Sequence, residues 1–125
     1  MRLLLDTHIL LWALTDSARL GHGLREKIVD PVNDVFVSAA TVWEISIKKR
    51  LGKLAVPDNV LEFVEAADFT PLPINFAHAM AAGALPLHHT DPFDRMLIAQ
   101  AREENLLLVT RDRRFEAYQI QLLMS

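Results

Sequence analysis

Cysteine is absent from this chain of 125 residues, which excludes a disulfide framework, a thiolate nucleophile and a thiolate zinc site. A disulfide-stapled extracellular mini-protein and a zinc finger are therefore both excluded. Long apolar runs are lacking as well. The apolar N-terminal stretch is interrupted at Asp6-Thr7-His8, well short of the roughly 20 residues that a membrane-spanning helix needs. No small-residue cleavage site follows it, so we expect the folded domain to begin at Met1 and the protein to be cytoplasmic.

A net positive charge is also missing. The chain has 13 Lys and Arg residues against 16 Asp and Glu residues, a formal charge of −3, which does not by itself point to a nucleic-acid-binding protein. What is present is apolar material, because 51% of the residues are hydrophobic. We find no internal repeat, low-complexity segment or Gly/Ser linker, and we predict a single domain over residues 1–125.

Short apolar runs alternate with helical patterns along the chain. Several runs are continuous rather than alternating, which is typical of strands covered on both faces of a parallel sheet. We predict strands near 2–5, 35–37, 69–74, 106–109 and 118–123, with Pro71 and Pro73 weakening the third. Helices are predicted near 8–14, 18–29, 39–51, 58–67, 76–83 and 92–104. This alternation predicts a three-layer α/β/α sandwich with a mostly parallel sheet.

Acidic residues follow the predicted strands or lie in the first turns of the predicted helices. In an open parallel sheet the functional crevice lies beyond the carboxyl ends of the strands, so we expect these side chains to gather there. Each also has a structural interpretation, because the aspartates lie where helix caps are favoured and Glu44 is spaced to pair with Lys48. The acidic residues are Asp6, Glu44, Asp91, Asp94 and Asp112.

Several carboxylates in one crevice repel one another and raise one another's pKa values unless a cation neutralises them. Oxygen ligands without cysteine favour Mg²⁺ or Mn²⁺ over Zn²⁺, and such ions activate water for phosphodiester hydrolysis. A competing transition-metal site would use His8, His88 and His89 beside the aspartates. Adjacent histidines seldom bind one ion and no H-x-x-x-H spacing occurs, so the carboxylate site is favoured.

Basic residues cluster near two of the acids. Lys48-Lys49-Arg50 and Lys53 follow Glu44, and Arg111, Arg113 and Arg114 flank Asp112. Solvated helix faces are the ordinary interpretation of such clusters. Their position beside the acids favours contacts with phosphate groups instead.

Four separated motifs, in order and spread over the whole chain, carry a family resemblance. They are Leu4-Leu5-Asp6-Thr7-His8, Ser38 with Trp43-Glu44-Ile45, Lys48 and Leu51-Gly52-Lys53-Leu54, His89-Thr90-Asp91-Pro92-Phe93-Asp94-Arg95, and Leu108-Val109-Thr110-Arg111-Asp112. In these motifs the chain resembles the PIN-domain family, and within it the ribonuclease toxins of VapBC-type toxin–antitoxin pairs. The resemblance implies a parallel five-stranded sheet and an endoribonuclease that hydrolyses RNA with Mg²⁺ or Mn²⁺.

Carried over position by position, the resemblance also implies the roles of individual residues. We choose Asp94 rather than Asp91 as the ligand from the DPFDR segment. The catalytic and metal-binding set is Asp6, Glu44, Asp94 and Asp112; the supporting residues are Thr7, Ser38, Asp91 and Thr110; and the expected RNA contacts are Lys48, Arg95 and Arg111.

The resemblance further implies a small antitoxin partner and a homodimer. We expect Leu10, Leu11 and Trp12, with the 18–29 and 58–67 helices, to supply apolar surface for these contacts. The alternative is that these residues pack internally, since small domains keep much apolar area exposed in any case. An antitoxin tail is expected to lie beside Trp12 and the helix of Glu44.

Other functions stay open at the level of the sequence. A haloacid-dehalogenase-type phosphatase also has a strand that ends in Asp, but its second acid, two positions later, is His8 here. A receiver-like signalling module needs two adjacent acids on the first strand and a lysine at the end of a late strand. We see neither feature in this sequence. A stand-alone PIN-type nuclease and a non-catalytic interaction domain with an acidic pocket are the remaining alternatives.

Overall fold

The computed structural model describes residues 1–124 and contains a five-stranded parallel sheet. The strands are β1 (Arg2–Leu5), β2 (Asp34–Ser38), β3 (Thr70–Leu72), β4 (Leu107–Thr110) and β5 (Leu122–Met124). Their order in the sheet is β3-β2-β1-β4-β5, and each neighbouring pair is parallel. β1 is therefore central, and all strands end along the same edge of the sheet.

Helices follow most of the strands. Within residues 1–124 the α-helices are α1 (Thr7–Leu14), α2 (His22–Val29), α3 (Ala39–Arg50), α4 (Val60–Ala66), α5 (Phe76–Ala84) and α6 (Pro92–Glu103). Two 3₁₀ turns, Ala18–Leu20 and Arg113–Ala117, complete the described elements. None of the helices in this part of the chain combines the length and the apolar character that crossing a membrane requires.

Successive side chains of β1 enter two different apolar cores. Leu3 and Leu5 belong to the core that α1 to α4 cover, whereas Leu4 packs in the core that contains α6 residues such as Leu97. Leu3, Leu4 and Leu5 are fully buried, and burying such a side chain contributes about 1.5–3 kcal/mol. The sheet is thus covered on both faces, and the predicted α/β/α sandwich is confirmed.

Helix caps lie directly at the carboxyl ends of the strands. Asp6 separates β1 from α1 and accepts a hydrogen bond from the Ile9 amide. Ser38 ends β2, is fully buried and accepts a hydrogen bond from the Ala40 amide at 3.0 Å. Because helix N-caps favour polar residues such as Asp and Ser and lie at the start of their helices, polar side chains are brought to one edge of the sheet.

Two predicted elements differ in the structure. The predicted 18–29 helix is divided at Gly21, whose φ of +82° is disfavoured for residues with a Cβ atom. The final strand begins at Leu122 instead of near residue 118, and Tyr118 is buried with its hydroxyl donating to the Pro86 carbonyl at 2.7 Å. Tyr118 therefore anchors the loop that precedes α6 rather than extending the edge strand.

The apolar surface expected from α1 is mostly internal. Leu10 and Leu11 are only 0% and 8% exposed, and both pack in the core on the α1 side of the sheet. Trp12 is half-buried, with the guanidinium carbon of Arg111 4.5 Å from its ring centre. The expectation that Leu10 and Leu11 supply surface for a partner is therefore wrong.

Candidate active site

A polar cleft opens at the carboxyl edge of the sheet, next to the ends of β1 and β4. Its volume is about 160 Å³. Its walls come from the start of α1, the middle of α3, the start of α6 and the turn after β4. The lining includes the acids Asp6, Glu44, Asp91, Asp94 and Asp112, and the basic residues Lys48 and Arg114. The structure thus brings together the acids that the sequence predicts to converge.

Asp6 is at the same time a helix cap and a cleft carboxylate. Its Oδ1 accepts a hydrogen bond from the Ile9 amide at 2.9 Å, and its Oδ2 accepts one from the Thr110 hydroxyl. Asp6 is only 6% exposed, and this burial raises its pKa above the ordinary value. The capping and metal-binding interpretations of Asp6 are therefore compatible in a single conformation.

Glu44 is a buried carboxylate in the middle of α3, 5% exposed. The Thr7 hydroxyl donates to its Oε1 at 2.5 Å, and the Lys48 ammonium donates to its Oε2 at 2.5 Å. A buried charge needs such partners because it has lost its hydration. The hydrogen bond to Glu44 raises the pKa of Lys48, so this lysine is a cation within the cleft beside the acids.

Asp94 is paired with His89, a contact that sequence reasoning missed. The His89 Nε2 atom lies 2.7 Å from Asp94 Oδ2, and the buried imidazole packs edge-on against Phe115. The His89 amide donates to the Tyr118 hydroxyl at 2.9 Å. The signal in the sequence was a histidine five residues before Asp94. Sequence analysis included His89 in a family motif and in a competing transition-metal site, but gave it no role beside Asp94.

Asp94 and Asp91 have different roles at the start of α6. Asp91 Oδ1 accepts hydrogen bonds from the amides of Phe93 at 2.8 Å and Asp94 at 3.2 Å, so Asp91 is the helix cap. Burial, followed by the charge of Asp91, raises the pKa of Asp94 to about 6. His89 opposes this rise and Glu44 adds to it. Asp94 is therefore an electrostatically crowded carboxyl group.

Asp112 follows β4 and caps the 3₁₀ turn Arg113–Ala117. Its Oδ1 accepts a hydrogen bond from the Arg114 amide at 2.9 Å, and the Arg114 side chain holds the pKa of Asp112 below its ordinary value. The Asp112 amide donates to the Thr110 hydroxyl at 3.0 Å. Thr110 thus connects the Asp112 backbone to the carboxylate of Asp6.

The three expected RNA contacts lie in different environments. Lys48 lines the cleft, and Arg111 stacks on Trp12 and donates to the Arg19 carbonyl. Arg95 donates instead to four backbone carbonyls, those of Ala82, Leu85, Pro86 and His89. It holds the loop that carries His89 and Asp91, and we do not retain it as an RNA contact.

Arg95→Ala is expected to lower the free energy of unfolding by about 2–3 kcal/mol, because the loop carbonyls lose a charged donor. Arg95→Lys should recover only part of the loss, since an ammonium lacks the planar fork of a guanidinium. Urea denaturation measures both, with Arg102→Ala on the exposed face of the same helix as control. A stable Arg95→Ala variant that binds RNA poorly would contradict the structural role.

Lowering the pH from 7 to about 5 is expected to stabilise the protein in the absence of divalent cations. The Asp94 pKa of about 6 exceeds its ordinary value of 3.8. Between these values the folded state binds more protons than the unfolded state, so the free energy of unfolding rises as the pH falls. Urea titrations at several pH values measure this gain. The gain in free energy of unfolding should be smaller in the Asp94→Asn variant. A gain of the same size in that variant would mean that groups other than Asp94 cause it.

The donor set fits a hard divalent cation. One ligand atom from each of His89, Asp94 and Asp112 lies within 4.8 Å of the other two, and Asp6 and Glu44 line the same cleft. The raised pKa values of Asp6 and Asp94 show that burial and crowding disfavour the bare charges. Carboxylate oxygens suit hard cations such as Mg²⁺ and Mn²⁺, whereas the imidazole of His89 is a ligand more typical of transition metals such as Zn²⁺.

A family model described as PIN domain matches residues 3–120. The chain therefore belongs to the PIN-domain family. It is similar to Ribonuclease VapC22 of Mycobacterium tuberculosis (strain ATCC 25618 / H37Rv), with 29% identity over 123 residues that cover 92% of this chain and 90% of the relative.

Solved structures of toxin–antitoxin proteins share the fold. VapBC2 from Rickettsia felis, bound to a promoter DNA fragment, has a TM-score of 0.74 at 15% identity, covering 100% of this chain and 99% of that chain. DNA-bound VapBC from Salmonella typhimurium has a TM-score of 0.72 at 18% identity, covering 99% and 98%. VapBC-5 from Mycobacterium tuberculosis has a TM-score of 0.65 at 19% identity, also covering 99% and 98%. At these identities the likeness concerns the fold.

Proposed function

We propose that this chain is the toxin of a type II toxin–antitoxin pair and acts as a Mg²⁺- or Mn²⁺-dependent endoribonuclease. The observation that carries the proposal is the convergence of four acids in the cleft of a PIN-domain protein: Asp6, Glu44, Asp94 and Asp112. Similarity to Ribonuclease VapC22 supports RNA as the substrate. Membership of the PIN family counts against the phosphatase and receiver alternatives.

The four acids would hold the cation, and neighbouring side chains orient them. Thr110 positions Asp6, Thr7 positions Glu44, and His89 positions Asp94 through the hydrogen bonds described above. Ser38 acts indirectly, because it caps the N-terminus of α3, the helix that carries Glu44. When bound, a divalent cation neutralises these carboxylates and supplies Lewis acidity for hydrolysis of a phosphodiester by water.

A protein nucleophile is not expected in this site. The chain has no cysteine, and the hydroxyls of Thr7 and Thr110 donate to Glu44 and Asp6. These carboxylates are themselves the proposed ligands, so neither hydroxyl has a separate base to activate it. Lys48 and Arg111 keep their proposed role as contacts for the phosphates of RNA.

Asp94→Asn should reduce cleavage more than Asp91→Asn. Asp94 presents its carboxylate to the cleft, whereas Asp91 uses Oδ1 to cap α6, and asparagine caps a helix about as well as aspartate. We expect about a hundredfold loss for Asp94→Asn and less than about tenfold for Asp91→Asn. A fluorogenic RNA assay at saturating Mg²⁺ makes the comparison. A larger loss at Asp91 would reverse the ligand assignment.

A small antitoxin is the proposed protein partner. The VapBC structures that share the fold support this assignment. On its β3 side, α3 borders an apolar groove of about 390 Å³ that includes Val42, Leu61 and Pro71, and Leu61 is 55% exposed. A pull-down with the product of the adjacent small gene tests the pairing, with Leu61→Arg expected to weaken it. No binding at all would favour a stand-alone nuclease.

A homodimer is the proposed oligomeric state. Phe76 and Met80 lie one turn apart on α5, and they and Leu87 beyond it are 89%, 76% and 80% exposed. Clustered exposed apolar side chains mark interaction surfaces. Light scattering should give twice the mass of one chain, and Phe76→Glu with Met80→Glu should give a monomer. A monomeric wild type would contradict the dimer and leave the nuclease proposal intact.

A further inference from the structure

The Asp112 carboxylate is held by a cation of the chain itself. The Nε atom of Arg114 lies 3.0 Å from each carboxylate oxygen, and an Nη2 atom lies 2.6 Å from Oδ2. Both carboxylate oxygens are thus engaged by one guanidinium. This arrangement is a two-pronged charge-assisted contact, the geometry in which arginine binds carboxylates and phosphates most strongly.

One oxygen of the Asp112 carboxylate also lies near the other candidate ligands of the cleft. One ligand atom of Asp112 lies within 4.8 Å of those of Asp94 and His89. A divalent cation bound there would stand a few ångströms from the Arg114 guanidinium, and like charges at that distance repel strongly in a partly buried site. Arg114 and a divalent cation therefore compete for Asp112.

Water can replace Asp112 as the partner of the Arg114 guanidinium. The Arg114 side chain is 65% exposed, and solvent screens an exposed ion pair, so the guanidinium can exchange its hydrogen bonds with water. The hydrogen bond from the Arg114 amide to Asp112 Oδ1 does not involve the side chain. This backbone contact would therefore still orient the carboxylate if the guanidinium left it, and Arg114 lines the same cleft as the proposed ligands.

We propose that Arg114 exchanges partners during the catalytic cycle: it neutralises Asp112 in the cation-free protein and binds an RNA phosphate once a divalent cation has taken Asp112. The inference rests on the proposed nuclease function. A guanidinium fits a phosphate with the same fork that it presents to a carboxylate. The exchange brings a positive charge to the polyanion only in the cation-loaded cleft.

The proposal predicts changes of opposite sign in two affinities. Arg114→Gln removes the competitor, so the dissociation constant for Mn²⁺ should fall about fivefold. The same variant removes a phosphate contact, so the dissociation constant for RNA in saturating Mn²⁺ should rise severalfold. A merely structural role would weaken both affinities together, because a misplaced Asp112 would damage the whole cleft.

Arg113→Gln is the matched control. Arg113 is the adjacent arginine, is exposed and carries the same charge, but every described contact with the Asp112 carboxylate comes from Arg114. Mn²⁺ binding is measured by electron paramagnetic resonance of the free ion. RNA binding is measured by fluorescence anisotropy of a labelled oligonucleotide whose integrity is checked on a gel. Arg114→Lys, which keeps the charge and loses the fork, should weaken RNA binding less than Arg114→Gln.

Tighter Mn²⁺ binding together with weaker RNA binding in Arg114→Gln, and smaller changes in Arg113→Gln, would support the exchange. Weaker or unchanged Mn²⁺ binding in Arg114→Gln would overturn it, as would equal effects of the two glutamine variants, which would indicate net charge alone. Neither measurement requires turnover. A wild-type protein that fails to cleave RNA would therefore overturn the proposed nuclease function, whereas the two binding measurements would still test the exchange of partners by Arg114.

Discussion

Replacing Asp6 by asparagine is expected to lower RNA cleavage by about a hundredfold or more while the fold stays intact. Asparagine has nearly the same shape and still accepts the hydrogen bond from the Ile9 amide, so α1 keeps its cap. It lacks the negative charge that a divalent cation requires. Burial raises the pKa of Asp6, so loss of the charge favours the neutral variant in the absence of cations. This gain is offset because the amide nitrogen that replaces Oδ2 cannot accept the hydrogen bond from the Thr110 hydroxyl.

Asp34→Asn is the matched control for this substitution. Asp34 begins β2 at the opposite edge of the sheet and is exposed, so this variant should cleave RNA at the wild-type rate. Cleavage is followed with a fluorogenic RNA, and folding is followed by circular dichroism and thermal unfolding. An Asp6→Asn variant with full activity would mean that Asp6 is only a helix cap.

Chelation with EDTA is expected to abolish cleavage, and excess Mg²⁺ or Mn²⁺ should restore it. The cleft collects five acids, which outnumber its Lys and Arg side chains, Lys48 and Arg114, so a bound divalent cation relieves repulsion between carboxylates. The same binding should stabilise the fold. At a concentration of cation one hundred times its dissociation constant, the gain in free energy of unfolding is about 2.7 kcal/mol.

Differential scanning calorimetry with and without Mn²⁺ measures this stabilisation independently of cleavage. Asp6→Asn should lose most of it, whereas the Asp34→Asn control should keep it. Ca²⁺ provides a second comparison, because it is larger and accepts more flexible coordination than Mg²⁺. Cleavage that continues undiminished in EDTA would exclude the proposed divalent-cation mechanism.

The secondary structure could be predicted closely where local chemistry decides it. Continuous apolar runs marked β1 and β4, and Asp91-Pro92 marked the start of α6, because a cap followed by proline is favourable only at a helix N-terminus. The prediction was less accurate at 18–29, where Gly21 has a positive φ. An apolar repeat does not report the backbone conformation of a single glycine.

The candidate site was predictable in its acids and less so in their partners. Asp6 and Asp112 follow strands, and parallel topology alone brings strand ends together. His89 and Arg114 gained their roles from contacts across short turns that no periodic pattern encodes. Arg95 was expected to contact RNA, but the path of the preceding loop presents its carbonyls to the guanidinium instead.

By itself, the sequence determined the order of elements, the parallel class of the sheet and the acidic character of its carboxyl edge, because apolar periodicity and cap chemistry are local. Only the tertiary structure decided which side chains meet. It paired Asp112 with Arg114, bonded Arg95 to the loop before α6 and buried Leu11. Such contacts depend on distances between segments, and those distances are set by how the whole chain packs rather than by any one stretch of it.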